Sequence, residues 1–490
     1  DKGARAMTVD WKHQIKRLTD KGATYADVRY YPKKEEDVMF MWNGNFLEFS
    51  RSEESGFGVR VLVDGAWGFA ASSSMADVSV TFDRAFANAT AAATRIKRPI
   101  RLADKQVLSG RFTSPCEQDP FEVPLSEQIA LMKDLDSFVN KPGVEQRRVT
   151  LSTVRNTVQY YDSEGAEIEK KIIDIFPGIH VAAMDAEGVQ QGRKYQPPRL
   201  GPTRGWETMN RDHWENQADR IVREMKEMLQ APKCPEGRMS VILMPDMMFL
   251  QVHETIGHAL ELDRILGYEL SFAGGSFVRL EDFGQLRYGS PKLNARADAT
   301  LINSPGSFGY DDDGVKAQDR MLIKEGILVG AITSRQMVTE ANEKAGREIF
   351  DGPGGACRAC SFTRVPIERM TNINVDPGED GSLDDIIRDT ERGVVLSGEK
   401  SWSIGSNREQ FHFSTDIGWL VEDGERKGVV RNCAYSGMTL DFYRSLSAVG
   451  DKSTWEVQYV DNCGKGVPGQ VMQLGHGVPV CRFDNVKVGE

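Results

Sequence analysis

The sequence predicts an α+β protein that ends in a mainly antiparallel β body. Two pairs, Asn43-Gly44 and Asp64-Gly65, stand between runs of alternating apolar residues, which is the strongest short-range signal for a β-hairpin. Beyond Ser304 the chain consists of short apolar runs punctuated by glycine, a pattern typical of antiparallel strands. At 490 residues the chain is too long for one simple core, so we expect two or three domains.

Three units follow from the order of the predicted elements. Residues 8–110 form an N-terminal α/β sandwich-like unit, in which helices lie beside a strand over 25–31 and the two hairpins. Residues 120–232 form a middle α+β unit that begins and ends with a helix. Residues 237–490 form a C-terminal, mainly antiparallel β domain. Clusters of proline near each boundary mark the linkers.

Composition and charge exclude several kinds of partner. A net charge of −11 argues against a general affinity for nucleic acid or for an anionic membrane. No apolar run approaches the length of a membrane span, and the opening residues DKGARAM carry no signal-peptide core. Seven cysteines form an odd and modest set for this length, which suggests a reducing compartment. We therefore expect a cytoplasmic location.

The stretch PDMMFLQVHETIGHALELDRILG concentrates the chemistry of the C-terminal domain. It is predicted to be one helix, with Asp246 as its N-cap and Gly267 as a left-handed stop. Within it His253, Glu254 and His258 form an HExxxH motif. Two imidazoles beside a carboxylate are the residues of a hydrolytic metal site. The histidines would hold the ion, and the carboxylate would pass a proton from water to the leaving amine.

The spacing of the two histidines requires a distorted helix. Residues five apart point roughly 140° away from each other around a regular α-helix. One extra residue in the turn, a π-bulge, would bring His253 and His258 onto one face, and such bulges are frequent at functional sites. Gly257 inside the motif would ease this distortion. We therefore predict a widened turn between the two histidines.

A catalytic metal needs a third protein ligand, which must come from elsewhere in the chain. Cys463 is well placed, because it lies in the loop-like sequence DNCGKG, where Lys465 could offset the charge of a thiolate. Spacing alone does not separate it from Cys433 or Cys481. The remaining histidines stand in unlike contexts and are expected to be ordinary residues: His13, His180, His213, His412 and His476.

Two further features have a functional and an ordinary interpretation. Glu261 and Asp263 could orient a ligand imidazole, or they could belong to a solvated helix face. Cys357 and Cys360 form a CxxC, but no second CxxC and no βαβ context accompany it, so a zinc-ribbon or redox role is not favoured.

Several segments together resemble the TldD/PmbA family, in its TldD-like, HExxxH-containing branch. HETIGHALELD at 253–263 is similar to the metal-binding segment of that branch. ESGFGVRVLVDGAWGFAASS resembles the family's N-terminal hairpin, and YDSEG a turn in its middle region. GSFGYDDDGVKAQDRMLIKEGILVG, RVPIERMTNINVDPG and CGKGVPGQ follow in the family's order. The resemblance covers nearly the whole chain.

The resemblance implies a metal, usually zinc, bound by His253, His258 and Cys463, with Glu254 as the general base. Iron is an alternative, because it also accepts such ligands. The family further implies a dimer, either a homodimer or a heterodimer with a PmbA-like subunit of the branch that lacks HExxxH. The segment SGEKSWSIGSNREQFHF at 397–413 departs from the family's pattern, which predicts different contacts to substrate.

The expected function is a zinc-dependent peptidase for short or unfolded peptides. A peptide would dock as an extended strand beside the glycine-rich β body, through backbone hydrogen bonds. The main alternative is a non-enzymatic metal-binding regulatory or scaffold protein, of the modulator type. A metal-dependent amidase acting on non-peptide amides is a third hypothesis, which the sequence does not separate from the first.

Overall fold

The computed structural model describes residues 9–272 and 274–489. Residues 1–8, which include the opening DKGARAM, lie outside these ranges. None of the helices in these ranges combines the length and the apolar composition of a membrane-spanning helix.

The N-terminal half is built on one seven-stranded sheet flanked by helices. Its helices are α1 (Trp11–Asp20), α2 (Val78–Ala93), α3 (Leu125–Val139) and α4 (Arg211–Gln230). Its strands are β1 (Tyr25–Trp42), β2 (Asn45–Val63), β3 (Ala66–Ser72), β4 (Ser109–Thr113), β5 (Gln146–Asp162), β6 (Glu167–Met184) and β7 (Gln190–Tyr195). The order is β3-β2-β1-β5-β6-β4, with β7 also paired to β6.

Both predicted hairpins are present. Asn43 and Asp64 adopt φ of 47°, and each is followed by a glycine that also has positive φ, as two-residue hairpin turns require. Strand β1 is longer than the predicted 25–31, because it continues through the polar run at 33–37. Pairing with β2 on one side and β5 on the other holds this run in the sheet despite its composition.

The central sheet joins the first two predicted units. Strand β1 pairs antiparallel with β5 from Asp27 opposite Asp162 to Trp42 opposite Arg148. Strand β4 pairs in parallel with β6. Residues 25–72 and 146–195 therefore share one sheet, and the boundary between units 8–110 and 120–232 stays a prediction from sequence.

The C-terminal part is mainly β, as predicted, and is organised around a closed sheet. The strands of this sheet are β8 (Gly237–Leu243), β15 (Arg392–Ile404), β16 (Gln410–Glu422), β17 (Glu425–Val430), β18 (Ala434–Met438), β19 (Leu446–Val449) and β22 (Cys481–Val488). Pairings run from β15 through β8, β22, β18 and β16 back to β15, so five strands close into a barrel. The β8–β15 pair is parallel, and the other pairs of this sheet are antiparallel.

Smaller elements cover the barrel. A four-stranded sheet contains β9 (Ala295–Asp298), β10 (Asp319–Lys324), β11 (Ile327–Leu328) and β14 (Ile373–Val375). Two hairpin-like pairs are β12 (Cys357–Arg358) with β13 (Ile367–Glu368), and β20 (Glu456–Lys465) with β21 (Gln470–Val478). The helices are α5 (Pro245–Val252), α6 (Leu262–Ile265), α7 (Arg335–Ala345), α8 (Leu383–Arg388) and α9 (Thr439–Arg444). Helix α5 leaves the barrel strand β8 and packs against β20 and β21, which brings the HExxxH motif beside both.

Candidate metal centre

The HExxxH motif lies on a widened helical turn. Helix α5 ends at Val252, and residues His253–Gly257 form one π-helical turn. The imidazoles of His253 and His258 consequently lie on the same side, with ring centroids 4.6 Å apart and planes inclined by 79°. The predicted distortion between the two histidines is confirmed.

The predicted single helix to Gly267 is wrong, because the chain leaves the helix at Glu261. Residues His258–Leu260 form a 3-10 turn, and Glu261 is extended with φ −70° and ψ 118°. Here the backbone pairs with another segment, since Leu262 N donates to Ile332 O at 3.0 Å. The N-cap is Met244 rather than Asp246, which lies in the first turn. Gly267 does adopt a positive φ, of 92°.

Gly257 is required for space rather than for an unusual conformation. Its backbone angles, φ −55° and ψ −66°, are helical. A Cβ at this position would lie 2.2 Å from Sδ of Met370, far inside a normal contact distance. A residue with a side chain would therefore push the motif away from the segment beneath it.

Strand β20 brings Cys463 to the two histidines. One ligand atom from each of His253, His258 and Cys463 can be chosen so that all three lie within 4.8 Å of one another. The sulfur of Cys463 is 3.6 Å from Nε2 of His258. All three side chains are buried, with exposed fractions of 4 to 5%. The structure thus brings together the three residues that the sequence proposed as ligands.

The tautomer of His258 is fixed by Glu261. Nδ1 of His258 lies 3.0 Å from Oε2 of Glu261, and a carboxylate can only accept, so Nδ1 carries the proton. Nε2 therefore presents its lone pair to the sulfur of Cys463 and the space between. Arg264 Nε donates to the same carboxylate oxygen at 2.6 Å, which holds Glu261 in place. An oriented imidazole of this kind is typical of metal sites.

The tautomer of His253 is fixed by His476, which the sequence predicts to be an ordinary residue. Nδ1 of His476 donates to the carbonyl oxygen of Ile373 at 2.8 Å, so its Nε2 can only accept. Nδ1 of His253 lies 2.9 Å from that Nε2 and must donate to it. Nε2 of His253 is then left with a free lone pair. The sequence marks His476 only weakly, by its position between Gly475 and Gly477. In the structure both glycines lie so close to neighbouring residues that a side chain would not fit.

Glu254 and the ligand cluster face one cavity. The cavity has a volume of about 790 Å³, and its wall includes His253, Glu254, His258 and Cys463. Oε2 of Glu254 accepts a hydrogen bond from Nη1 of Arg408 at 3.2 Å. The candidate general base therefore lies in the wall of the same cavity as the ligand cluster.

Comparison with known sequences identifies the family. Profiles of three domains match this chain in order: PmbA/TldA metallopeptidase domain 1 at residues 26–93, the central domain at 118–229 and the C-terminal domain at 236–490. The chain belongs to the PmbA/TldA metallopeptidase family. The resemblance inferred from the motifs is confirmed.

Similar proteins support this membership over the full length of the chain. A metalloprotease from Methanothermobacter thermautotrophicus is 27% identical, with 95% of each chain covered. A zinc metalloprotease TldD homolog from Saccharolobus solfataricus is 25% identical, with 97% of this chain and 98% of the relative covered. TldE from Thermococcus kodakarensis has the same fold, with a TM-score of 0.70 at 15% identity over 98% of this chain and 99% of that one.

The electrostatics of this PmbA/TldA site favour metal ligation. Burial alone would raise the pKa of Cys463, but His258 and Arg369 lower it, and the net pKa is below that of an ordinary thiol. Burial lowers the pKa of both His253 and His258. Burial thus favours the neutral imidazoles that a metal requires, and the positive charge of Arg369 favours the thiolate.

A buried charge cluster lies behind His258. Lys465 contacts Asp263 at 2.7 Å and Glu261 at 3.5 Å. Its positive charge is therefore paired with these carboxylates and not with the thiol of Cys463. Burial raises the pKa of Asp263 and of Glu368, which accepts from the backbone N–H of Asp263. Glu261 therefore orients a ligand directly, whereas Asp263 acts on the neighbouring lysine.

The other candidate cysteines lie elsewhere. Cys433 and Cys481 are buried and do not belong to the group of potential ligands around His253 and His258. Cys357 is buried, which raises its pKa well above that of an ordinary thiol, and Cys360 is half-buried. In the part of the chain that the structure describes, the group of His253, His258 and Cys463 is the one with metal-ligand geometry.

The donor set fits zinc. Two imidazole nitrogens and one thiolate are ligands that zinc accepts in tetrahedral sites, and three protein ligands leave a fourth position for the reaction. Both imidazoles present Nε2 because their Nδ1 protons are engaged by Glu261 and His476. The arrangement of these residues is therefore consistent with membership of a metallopeptidase family.

Proposed function

We propose that the protein is a zinc-dependent peptidase that hydrolyses short or unfolded peptides. One observation carries the proposal: three potential metal ligands with fixed orientations share a cavity of about 790 Å³ with Glu254. A cavity of this size accommodates several residues of a peptide. The relatives named metalloproteases support the same class of reaction.

His253, His258 and Cys463 would hold the metal. When bound, zinc would supply a Lewis acid that polarises the scissile carbonyl and lowers the pKa of water toward neutrality. Iron is the alternative, because the same nitrogen and sulfur donors accept it.

Glu254 would move the proton. Its carboxylate lies on the cavity wall next to His253, and Arg408 holds one of its two oxygens. The other oxygen can take the proton from the attacking water and deliver it to the nitrogen that leaves. A buried carboxylate in this position performs both transfers without a second acid.

Strand β20 offers a place for an extended peptide. Residues 460–464 of this strand, which include Cys463, line the cavity. The earlier part of the strand already has partners. The side-chain amide of Gln196 donates to the carbonyl of Tyr459, and the backbone N–H of Arg199 donates to the carbonyl of Val457. A peptide would add to the remaining edge through backbone hydrogen bonds, with little demand on side-chain identity.

We also propose that the protein acts as a dimer, either with a second copy or with a PmbA-like subunit. Sedimentation velocity of the purified chain, alone and mixed with such a subunit, distinguishes the two. A non-enzymatic regulatory role is the competing function. A purely regulatory role would require a metal with four protein ligands and no open position. The structure instead brings three candidate ligands together beside a cavity.

The test is Glu254→Gln, compared with Glu343→Gln on the exposed side of α7. Glu254→Gln should keep the zinc content of wild type and lose cleavage of unfolded peptides by a factor of about 100 or more. Glu343→Gln should change neither. If the zinc-loaded wild type cleaves no peptide in a library digest, the peptidase function is wrong. If Glu254→Gln cleaves normally, Glu254 is not the base.

A further inference from the structure

Arg408 occupies an unusual place in the wall of the cavity. It lies in the loop 405–409, which connects β15 and β16 and belongs to the segment that departs from the family's pattern. Its φ is 66°, in the left-handed region that residues with a side chain seldom adopt. Such strain persists only where the surrounding structure imposes it, and it is frequent in active sites.

Hydrogen bonds on both sides hold the loop in this conformation. The N–H of Arg408 donates to Gly405 O at 2.8 Å, and Thr439 Oγ1 donates to Arg408 O at 2.6 Å. One residue earlier, Asn407 O accepts from the N–H of Phe277 at 2.8 Å. The backbone of Arg408 is therefore fixed, which limits the positions that its side chain can reach.

One of the groups that the side chain of Arg408 contacts is Glu254. Nη1 of Arg408 lies 3.2 Å from Oε2 of Glu254, and only 11% of the arginine side chain is exposed. Burial lowers the pKa of Arg408 and Glu254 raises it, but a guanidinium keeps its charge under all conditions in which a protein folds. The candidate base and a permanent positive charge thus stand together beside the ligand cluster.

The cavity wall also contains Arg148, Arg264 and Lys194, and the last two are each held by a carboxylate. Arg264 binds Glu261, which orients His258. Lys194 binds Glu399. Arg408 differs from these two cations because it contacts Glu254, the group proposed to change charge during the reaction.

On the basis of the peptidase function proposed above, we infer that Arg408 is a further catalytic residue. Its positive charge stabilises the negative charge that develops on the scissile carbonyl oxygen of the peptide. In the resting site the carboxylate of Glu254 offsets this charge. During the reaction the guanidinium acts on the substrate.

The order of events explains the change of partner. The attacking water gives a proton to Glu254 while its oxygen bonds to the carbonyl carbon, and the π electrons of the C=O bond move to the carbonyl oxygen. Glu254 is then neutral and no longer offsets the charge of Arg408. When the C=O bond re-forms, the C–N bond breaks and the nitrogen leaves with the proton that Glu254 held.

Arg408→Gln tests the inference, with Arg444→Gln as a matched control outside the cavity. The kcat of Arg408→Gln on a peptide with uncharged side chains should fall about 100-fold or more, because one oxyanion-stabilising group is lost. KM, zinc content and the thermal midpoint should change little. Arg408→Lys keeps the charge without the planar fork, and its kcat should lie between those of wild type and Arg408→Gln.

Equilibrium binding gives a second readout that is independent of turnover. A phosphinic peptide carries the negative charge of the tetrahedral intermediate, whereas an alkene isostere of the same peptide is neutral. Arg408→Gln should weaken binding of the phosphinic peptide by about the same factor as kcat and leave the alkene isostere nearly unaffected. If Arg408→Gln unfolds, Arg408→Lys carries the same comparison.

Three results would overturn the inference: unchanged kcat in Arg408→Gln, an equal loss of affinity for both ligands, or loss of the zinc. Each is measured relative to wild type. Cleavage by wild type decides the peptidase function separately, so a normal wild type with a normal Arg408→Gln contradicts only the role of Arg408.

Discussion

Nδ1 of His253 lies 2.9 Å from Nε2 of His476, and the two buried rings are inclined by 89°. The contact continues to the carbonyl oxygen of Ile373, which accepts from Nδ1 of His476. A backbone carbonyl thus fixes the tautomer of one histidine, and that histidine fixes the tautomer of the next. Because a carbonyl cannot donate, His476 must donate to Ile373, and His253 must in turn donate to His476. The lone pair on Nε2 of His253 is therefore available to a metal in the ligand cluster.

His476→Ala should therefore weaken zinc binding without removing a ligand. Loss of a hydrogen-bond partner of a metal-bound imidazole typically costs about 10 to 100-fold in metal affinity. Competition with a chromophoric chelator measures the change. His412→Ala, on the exposed part of β16, is the control and should bind zinc as wild type does. Equal affinities in the two variants would show that the contact with His476 does not orient His253.

Cys463→Ala should remove the third ligand. Two imidazoles alone bind zinc weakly, so the purified variant should contain little metal after dialysis against a mild chelator, while wild type keeps it. Cys360→Ala is the matched control, because Cys360 is half-buried and lies outside the ligand cluster. Full zinc occupancy in Cys463→Ala would mean that another residue completes the site.

Local signals made the hairpins, the widened turn and the two ligand histidines predictable. Asx-Gly pairs determine hairpin turns within a few residues, and Asn43 and Asp64 behaved accordingly. The five-residue spacing of His253 and His258 required a widened turn, which follows from helix geometry alone. Glu261 was accessible to the same argument, because it is three residues from His258.

Contacts between distant segments were not predictable in this way. His476 is 223 residues from His253 in the chain, and no local pattern distinguishes it from the other histidines. Arg408 meets Glu254 across 154 residues. The pairing of β1 with β5, which merges two predicted units into one sheet, also depends on tertiary structure. The single helix to Gly267 failed for the same reason, because the backbone at Leu262 pairs with Ile332 instead.

Gly257→Ala tests the packing beneath the motif. The added methyl would lie 2.2 Å from Sδ of Met370, so the turn or the methionine must move. Overpacking of this kind costs about 1 to 3 kcal/mol of the free energy of unfolding, and a shifted turn should also weaken zinc binding. Urea denaturation and chelator competition measure the two effects.

The double variant with Met370→Ala identifies the cause. If the clash with Met370 is responsible, the two substitutions should be strongly non-additive, and Gly257→Ala should cost less stability in the Met370→Ala background than in wild type. Gly428→Ala is the control, since a Cβ there would meet nothing within 4 Å. Should Gly257→Ala cost the same in both backgrounds, the glycine would be needed for the conformation of the π-helical turn itself, as the sequence first suggested, and not for the space against Met370.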